Sequence, residues 1–228
     1  MRFNCIISVL LLCMSCSCKL IMIIRHGEKF NDEESTLSDV GQARANCLVE
    51  AFGEKGTYVT PQKIFAQNNV GKTSTRPRDT VTPLAQALHL NVDLTHSSED
   101  IKGNVNSALN APEDIILISW SKDNLDNMAK EFGLKKVPNW ESNVFDDIWI
   151  LTDGNTPFIK NAPGNTIVST KTYGGDNGFA MFVAKENVDQ CIKKSVPNFT
   201  PNVSGASMLK IGVVTIMLSA LSVLYLLF

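Results

Sequence analysis

The chain has 228 residues, of which 44% are hydrophobic and 19% are charged, and its formal net charge is −2. It is long enough for one domain with a substantial core, and it contains no internal repeat or low-complexity tract. Binding to nucleic-acid backbones needs clustered Lys and Arg, which the sequence lacks, so we expect no nucleic-acid partner.

The first 18 residues are predicted to be a secretory signal peptide. A single basic residue, Arg2, precedes an apolar run from Cys5 to Cys13, and small residues at positions 16–18 indicate cleavage after Cys18. Two alternatives remain open for this segment, an uncleaved anchor and an N-terminal extension of the first strand.

The apolar run Leu20–Ile24 predicts a buried strand of a parallel sheet. Arg25, His26 and Gly27 follow this strand directly, and the glycine allows the backbone to turn sharply there. In open α/β sheets, ligands bind at the edge formed by the carboxyl ends of the strands. The tripeptide is therefore a candidate site, and the alternative is a chance occurrence at a strand end. The next residue, Glu28, is expected to orient its neighbours or to stay solvated.

Strands and helices alternate through the middle of the chain. Ser38 is expected to cap a helix that runs to about Glu54, and strand Ile115–Ser119 should precede a helix from about Lys122 to Phe132. The other predicted helices are 80–88, with Pro83 in its first turn, and 100–109; the other predicted strands are 63–66, 91–94, 148–151, 167–172 and 179–184. This alternation predicts a three-layer α/β/α domain with a largely parallel sheet over residues 19–190.

The C-terminal region is predicted to be a glycosylated stalk, residues 191–207, followed by a hydrophobic tail, residues 208–228. Asn198 and Asn202 begin Asn-x-Ser/Thr sequences beside prolines, as expected for an exposed segment. Small residues, a Met-Leu-Lys spacer and then an uncharged apolar run over Ile211–Phe228 resemble a GPI-attachment signal, with Ser204 or Gly205 as the attachment residue. A single-pass membrane anchor is the alternative, because the spacer is short. Either way, we expect attachment to a membrane at the cell surface.

Four of the six cysteines lie in the predicted signal peptide, which leaves Cys47 and Cys191 in the domain. In a secreted chain these two could form one disulfide, although the sequence does not indicate whether they meet. No metal-ligand spacing exists among the cysteines.

Three segments carry a family resemblance in the same order along the chain. The first is Arg25-His26-Gly27, the second is the helix entry Leu37-Ser38-Asp39-Val40-Gly41-Gln42-Ala43-Arg44-Ala45, and the third runs from Ser74 through Arg76 and Thr80 to Pro83-Leu84-Ala85. Together they resemble the histidine phosphatase superfamily, the phosphoglycerate mutase-like proteins, over roughly residues 20–184. The resemblance implies a phosphoglycerate mutase-like α/β/α fold.

The resemblance also implies a phosphatase mechanism. His26 would be the nucleophile that forms a phosphohistidine, and Arg25 and Arg76 would hold the phosphoryl oxygens through their planar guanidinium groups. The expected ligand is a small phosphate ester or another phosphorylated molecule, and no metal or other cofactor is expected. Arg78, close to Arg76, is expected to be a solvated loop arginine.

The sequence departs from the family pattern at a second histidine, which the family places after the strand that corresponds to Ile115–Ser119. Lys122 stands at that position and would keep a positive charge near the phosphoryl group, where it should also lower the pKa of His26. The proton donor to the leaving group is unassigned, with Glu99 and Asp100 as candidates; the alternative for both is a helix N-terminus. His89 and His96 are expected to be structural or exposed.

These observations leave three functional hypotheses. The first is a cell-surface phosphomonoesterase whose turnover could be reduced by Lys122 in place of the second histidine, and the second is a pseudoenzyme that keeps the phosphate pocket without turnover. The third is a glycosylated surface protein that uses the fold only as a scaffold. Retention of both arginines and His26 favours the first two.

Overall fold

The computed structural model describes residues 19–31, 33–69, 74–152, 156–161, 167–169, 172–175, 178–201 and 208–210. Within these residues, nine strands form one sheet that five α-helices cover. The strands are β1 (Leu20–Arg25), β2 (Lys63–Ala66), β3 (Val92–Asp93), β4 (Ile115–Trp120), β5 (Asp147–Thr152), β6 (Ile167–Ser169), β7 (Tyr173–Gly174), β8 (Ala180–Lys185) and β9 (Met208–Lys210). The helices are α1 (Asp39–Phe52), α2 (Arg76–Ala87), α3 (Ile101–Asn110), α4 (Leu125–Glu131) and α5 (Asp189–Ser195).

Strand β1 lies in the middle of the sheet, whose order is β3-β2-β4-β1-β5-β8-β6-β9, with β7 paired to β8. It pairs with β4 in parallel on one side and with β5 in antiparallel on the other. All six of its side chains are buried, because both faces of the sheet are covered at this point. Burial of each Leu, Ile or Met in this strand contributes roughly 1.5–3 kcal/mol to folding.

Helices cover both faces of the sheet. Successive side chains of a strand point to opposite faces, and Met22 therefore packs with Leu48 of α1, in a core shared with α2 and α5. Ile23 packs on the other face, in a core shared with α3 and with Met128 of α4. The predicted three-layer α/β/α class is thus confirmed.

The sheet is mixed, whereas the sequence predicted a largely parallel one. Strands β3, β2, β4 and β1 are parallel, and β5, β8, β6 and β9 add to them in antiparallel. Two consecutive strands can be parallel only if a crossover returns the chain to the end of the sheet at which the first strand began. After α4, residues 132–146 instead bring the chain back to the edge where β4 ended, so β5 starts there and runs antiparallel to β1.

Several element boundaries also differ from the prediction. Helix α2 begins at Arg76 rather than at residue 80, so Pro77 occupies its first turn and Pro83 lies inside it. The helix predicted from Lys122 begins as a 3₁₀ turn, Lys122–Asn124, and α4 starts only at Leu125. Elements α5, β7 and β9 were not predicted.

Helix α5 is fixed to α1 by a disulfide between Cys47 and Cys191, whose Cα atoms are 5.8 Å apart. The bond closes a loop between residues 144 positions apart, and a loop of this length restricts the unfolded chain strongly, with a typical effect of about 2–5 kcal/mol. Ile192 is buried and Phe199 packs against the same core. The domain boundary at residue 190 stays a prediction, while the described packing continues past it.

No helix within the described ranges has the length and hydropathy needed to cross a membrane. The predicted signal peptide and residues 211–228 of the predicted tail lie outside those ranges.

Candidate functional site

The candidate site lies where four strands end or begin at one edge of the sheet. Strands β1 and β4 end there, and the antiparallel pairing of Asp147 with Lys185 brings the start of β5 and the end of β8 to the same edge. The backbone of His26 continues the parallel ladder, because its N–H donates to the carbonyl of Trp120 at 3.1 Å. His26 is therefore placed by the sheet itself.

The turn after His26 is held by α1 and α2. The Gly27 N–H donates to Thr80 Oγ1 at 2.8 Å, and the Thr80 hydroxyl donates to the Arg76 carbonyl at 2.8 Å. A Cβ on Gly27 would lie 3.0 Å from the Gly41 carbonyl oxygen, so this glycine permits a close approach of two backbones. The Gly residues of the first two family-like segments thus meet in space.

His26 is buried and electrically neutral. The residue is 5% exposed, and Nδ1 lies 2.7 Å from the Gly27 carbonyl oxygen. Burial is the main cause that lowers the pKa of His26 to about 3; the charges of Arg25, Arg76 and Lys29 contribute to this shift, and the Gly27 bond opposes it. Because a carbonyl can only accept, Nδ1 carries the ring proton, and Nε2 keeps a free lone pair.

Arg25 is 5% exposed and is fixed by backbone carbonyls and an aromatic ring. One terminal nitrogen, Nη1, donates to the carbonyls of Ser142 at 2.8 Å and Val144 at 3.1 Å. The guanidinium carbon lies 3.9 Å from the ring centroid of Phe145, within cation–π range, and that ring is also near His26, at 6.3 Å between centroids. Burial lowers the pKa of Arg25 to about 10, so the group remains a cation at neutral pH.

Arg76 is 9% exposed and reaches the loop after β1. Its Nη1 donates to the carbonyls of Asn31 at 3.3 Å and Glu34 at 2.9 Å. Burial lowers the pKa of Arg76 below its ordinary value, and the charge of Arg76 acts on both Arg25 and His26. The two arginine charges are therefore close enough to affect each other and the imidazole of His26.

Each of these two arginines has a buried donor that is not satisfied. Among the described residues, no acceptor lies within hydrogen-bond distance of the Nε of Arg25 or of Arg76. A buried unpaired N–H costs about 1–3 kcal/mol, more when it is charged, and these two donors have no acceptor among the described residues. Two guanidinium cations whose charges act on a neutral imidazole suit an anion with several oxygens.

Lys122 is not among the cations that chiefly lower the pKa of His26, which are Arg25, Arg76 and Lys29. It lines a groove of about 440 Å³ together with Trp140 and seven other residues of the 3₁₀ turn, of α4, of the chain after it and of β5. This groove adjoins the site, since Trp140 Nε1 and Arg25 Nη1 both donate to the Val144 carbonyl, at 2.9 and 3.1 Å. The expected effect of Lys122 on the pKa of His26 stays a prediction without support from the observed electrostatics.

Asp100, one of the two candidate acids, caps helix α3. Its side chain accepts from the Gly103 N–H at 3.0 Å and lies 2.7 Å from His96 Nδ1. These hydrogen bonds, chiefly the one from His96, hold the pKa of Asp100 below its usual range, which does not suit a proton donor at neutral pH. Glu99 is exposed and precedes it.

The segment that carries Glu99 is anchored at the same sheet edge. The carbonyl of Ser98 accepts from Asn124 Nδ2 at 3.0 Å and from Trp120 Nε1 at 3.4 Å. Of the two candidate acids, Asp100 caps α3 and Glu99 does not. It remains a candidate.

The other two histidines have no place in the site. His96 is buried and bonds Asp100 and, through Nε2, Ser107 Oγ at 2.8 Å. His89 is exposed at the end of α2, in a left-handed conformation with φ 55°. A second imidazole is consequently absent from the site, since all three histidines of the sequence lie within the described residues.

The predicted modification sites are only partly covered by the structure. Asn198 is exposed, whereas Asn202, Ser204 and Gly205 lie outside the described residues. The described residues contain no group of His, Cys, Asp and Glu that could hold a metal ion.

A buried ion cluster lies behind the His26 turn, and sequence reasoning missed it. Arg44, which is 2% exposed, binds Glu28 through Nη2 at 2.7 Å and Glu186 through Nη1 at 2.7 Å. Burial disfavours its charge, but the carboxylates of Glu186 and Glu28 hold the pKa of Arg44 above its ordinary value. Glu186 follows β8, 142 residues from Arg44, so no local pattern could have linked the two.

The cluster predicts a pH-dependent stability. Burial raises the pKa of Glu186 from 4.5 to about 8, against the opposing effect of Arg44. Between these values the folded protein holds a proton on Glu186 that the unfolded chain has released, and the bond from Arg44 Nη1 is then accepted by a protonated carboxyl group. This contribution to stability is therefore complete below about pH 4.5 and is lost as the pH rises through 8.

We expect Glu186→Gln to remove this dependence of the free energy of unfolding on pH, because an amide does not titrate. Urea denaturation of the variant between about pH 5 and 9 should give a flatter profile than the original chain. Glu50→Gln, on the exposed side of α1, is the control and should keep the original slope. Equal slopes for all three proteins would contradict the prediction.

Comparison with known proteins gives limited information on the family. No family model matches the chain, and no curated protein matches it. A solved structure described as a "putative phosphohistidine phosphatase SixA" from Nakamurella multipartitia is similar to it, with 12% sequence identity and a TM-score of 0.37. The match covers 59% of this chain and 84% of that one. Because the likeness is this weak, the functional argument rests on the site itself.

Proposed function

We propose that the protein is a phosphomonoesterase that acts through a phosphohistidine on His26. The observation that carries the proposal is that two cations, Arg25 and Arg76, act on the buried neutral ring of His26 at the edge where β1 and β4 end. Phosphate oxygens would accept hydrogen bonds from the guanidinium groups, which would stabilise the charge on the phosphoryl group during transfer.

The side chains support a reaction in two steps. In the first, the Nε2 lone pair of His26 bonds to phosphorus while the bond from phosphorus to the ester oxygen breaks, and the alcohol leaves with a proton from Glu99 or from water. In the second, water attacks phosphorus and gives a proton back to Glu99 or to solvent, the bond between phosphorus and Nε2 breaks, and inorganic phosphate is released. The proton on Nδ1 keeps the ring oriented by the Gly27 carbonyl throughout.

We also propose that the protein works at the cell surface. The predicted signal peptide and C-terminal attachment signal support this location, and so does the disulfide between Cys47 and Cys191, since disulfides persist in oxidising compartments. The ligand would then be a phosphate ester outside the cell, and Asn198 would be available for glycosylation because it is exposed.

The test uses intact cells that express the full chain. Such cells are expected to release phosphate from external p-nitrophenyl phosphate, and phosphatidylinositol-specific phospholipase C should release the activity into the medium. After brief exposure to substrate, mass spectrometry should find an acid-labile, base-stable phosphate on the peptide that contains His26. Turnover without this modification would contradict the mechanism, and activity only in lysed cells would contradict the location.

The second candidate function is a phosphate pocket without turnover. The absence of a second imidazole from the site favours it, together with the position of Lys122 in the groove. In that case purified protein would bind inorganic phosphate but release none from p-nitrophenyl phosphate, and no phosphohistidine would form.

A further inference from the structure

Arg44 is an unusual residue for the buried face of a helix. It lies in α1 and is 2% exposed, in a position where its neighbours Ala43, Cys47 and Leu48 belong to an apolar core. A buried ion cluster contributes little net stability, because desolvation of its charges offsets their attraction. What it supplies is a defined geometry, since a guanidinium group binds carboxylates in fixed directions.

The geometry of Arg44 connects three elements at the site edge. Its Nε and Nη2 hold the carboxylate of Glu28, after β1, at 3.0 and 2.7 Å, and its Nη1 holds Glu186, after β8, at 2.7 Å. Glu186 is 1% exposed, and its backbone N–H donates to the carbonyl of Asp146 at 2.8 Å. One buried cation thus fixes the end of β1 relative to α1 and to the end of β8.

The charged groups around this cation are mostly acidic. Burial is the main cause that raises the pKa of Glu186, and the charges of Asp146 and Glu28 add to it; Lys185 is paired with Asp146 at 2.8 Å. No described residue provides a hydrogen bond to the second oxygen of Glu186, Oε1. Arg44 is therefore the group on which the arrangement of both glutamates depends.

Glu28 is fixed through its backbone as well as its side chain. Its carbonyl accepts from the Ser38 N–H at 2.9 Å, at the start of α1. A Cβ at Gly41 would lie 2.3 Å from that same carbonyl oxygen, so the first turn of α1 packs directly on it. Arg44 therefore holds the carboxylate of Glu28, and Ser38 holds its backbone carbonyl.

This anchoring reaches the ring of His26 through a single peptide unit. The carbonyl that accepts from His26 Nδ1 belongs to Gly27, and it is coplanar with the N–H and Cα of Glu28, because the peptide bond is planar. The position of Glu28 therefore sets the direction of the oxygen that holds the ring proton. A displaced carbonyl would release the ring and let the proton move to Nε2, which must be unprotonated to attack phosphorus.

We propose that Arg44, together with Glu186, is a positioning residue for His26: by fixing Glu28 it keeps the ring proton on Nδ1 and the lone pair on Nε2. The proposal deepens the function proposed above, and it rests on that function for its catalytic meaning. In this role Arg44 neither contacts the phosphate nor transfers a proton.

The test measures the ring of His26 directly, by NMR of the full chain labelled with ¹⁵N in histidine. The sequence has only three histidines, so the spectrum holds three ring systems, and a His26→Ala variant assigns the relevant one. In the original chain we expect a neutral ring with the proton on Nδ1 through about pH 5–8. In Arg44→Met we expect a mixture of tautomers and a titration midpoint higher by about one unit or more.

Leu48→Ala is the matched control, because Leu48 is fully buried on the same helix and belongs to the apolar core, whereas the Glu28 carboxylate is bound by Arg44. It should lower the Tm while leaving the His26 tautomer and titration unchanged. If Arg44→Met does not fold, the isosteric Glu28→Gln replaces it, with the same expected change of tautomer. An unchanged His26 ring in a folded Arg44→Met or Glu28→Gln, or an equal change in Leu48→Ala, would overturn the proposal.

Kinetics separate this proposal from the proposed function. A misplaced nucleophile should lower kcat by about 10–100-fold while KM changes little, because binding of phosphate rests on Arg25 and Arg76. A kcat for Arg44→Met equal to that of the original chain would overturn the positioning role. If the original chain has no turnover, the phosphatase is rejected, and the NMR comparison still decides whether Arg44 fixes the ring.

Discussion

Replacement of His26 with alanine is expected to abolish phosphate release, by about 10⁴–10⁶-fold in kcat. No other described side chain at the site offers a neutral nitrogen with a free lone pair, because the neighbouring cations are the guanidinium groups of Arg25 and Arg76 and the ammonium of Lys29. The measurement is steady-state release of phosphate from p-nitrophenyl phosphate, followed by a search for phosphohistidine on the quenched protein.

His89→Asn is the control for this experiment. His89 is exposed and has φ 55°, a left-handed conformation that asparagine also tolerates, so the change should leave both fold and activity intact. Inorganic phosphate should still bind to His26→Ala, since the two arginines are retained. If His26→Ala keeps more than a tenth of the activity, His26 is not the nucleophile.

The fold was largely predictable wherever a signal is local. Strand β1 is an uninterrupted apolar run because it is buried on both faces, and Ser38 caps α1 as predicted, by accepting from the Gly41 N–H. The antiparallel half of the sheet was not predictable in this way. Whether β5 enters the sheet parallel or antiparallel depends on where the chain from 132 to 146 leads, and neither periodicity nor composition records that path.

The site residues also differ in whether a local pattern in the sequence predicts them. Arg25 and His26 are contiguous and follow an evident strand, so their location at the sheet edge could be predicted, and the structure places both there. The cluster of Arg44 and Glu186 could not be predicted, because its members are far apart in the sequence. Lys122 follows β4 as the sequence predicted, but it lies in a 3₁₀ turn and lines the neighbouring groove. Position in the chain does not fix the direction of a side chain.

Replacement of Arg76 with alanine is expected to lower kcat/KM by about 10³–10⁵-fold, as the loss of an arginine that stabilises a transferring phosphoryl group does in other enzymes. The buried Nε of Arg76 is one of the two unsatisfied donors, and its Nη1 also holds the loop after β1 through the carbonyls of Asn31 and Glu34. Arg76→Lys should recover only part of the loss, because an ammonium keeps the charge but cannot reproduce the planar fork. The measurement is kcat/KM for p-nitrophenyl phosphate, with Tm as the check on folding.

Arg78 provides the matched control, because it lies on the same first turn of α2 and carries the same charge. Its guanidinium is paired with Asp79 at 2.7 Å, and its side chain is 39% exposed, so it offers no unsatisfied buried donor to an anion. Arg78→Ala should therefore change kcat/KM by less than about threefold, since an exposed ion pair contributes little. A general effect of positive charge near the site would make the two alanine variants equally slow. A site that depends on the Arg76 guanidinium makes them differ by orders of magnitude, since the charge of Arg76 acts on His26 whereas the guanidinium of Arg78 is paired with Asp79.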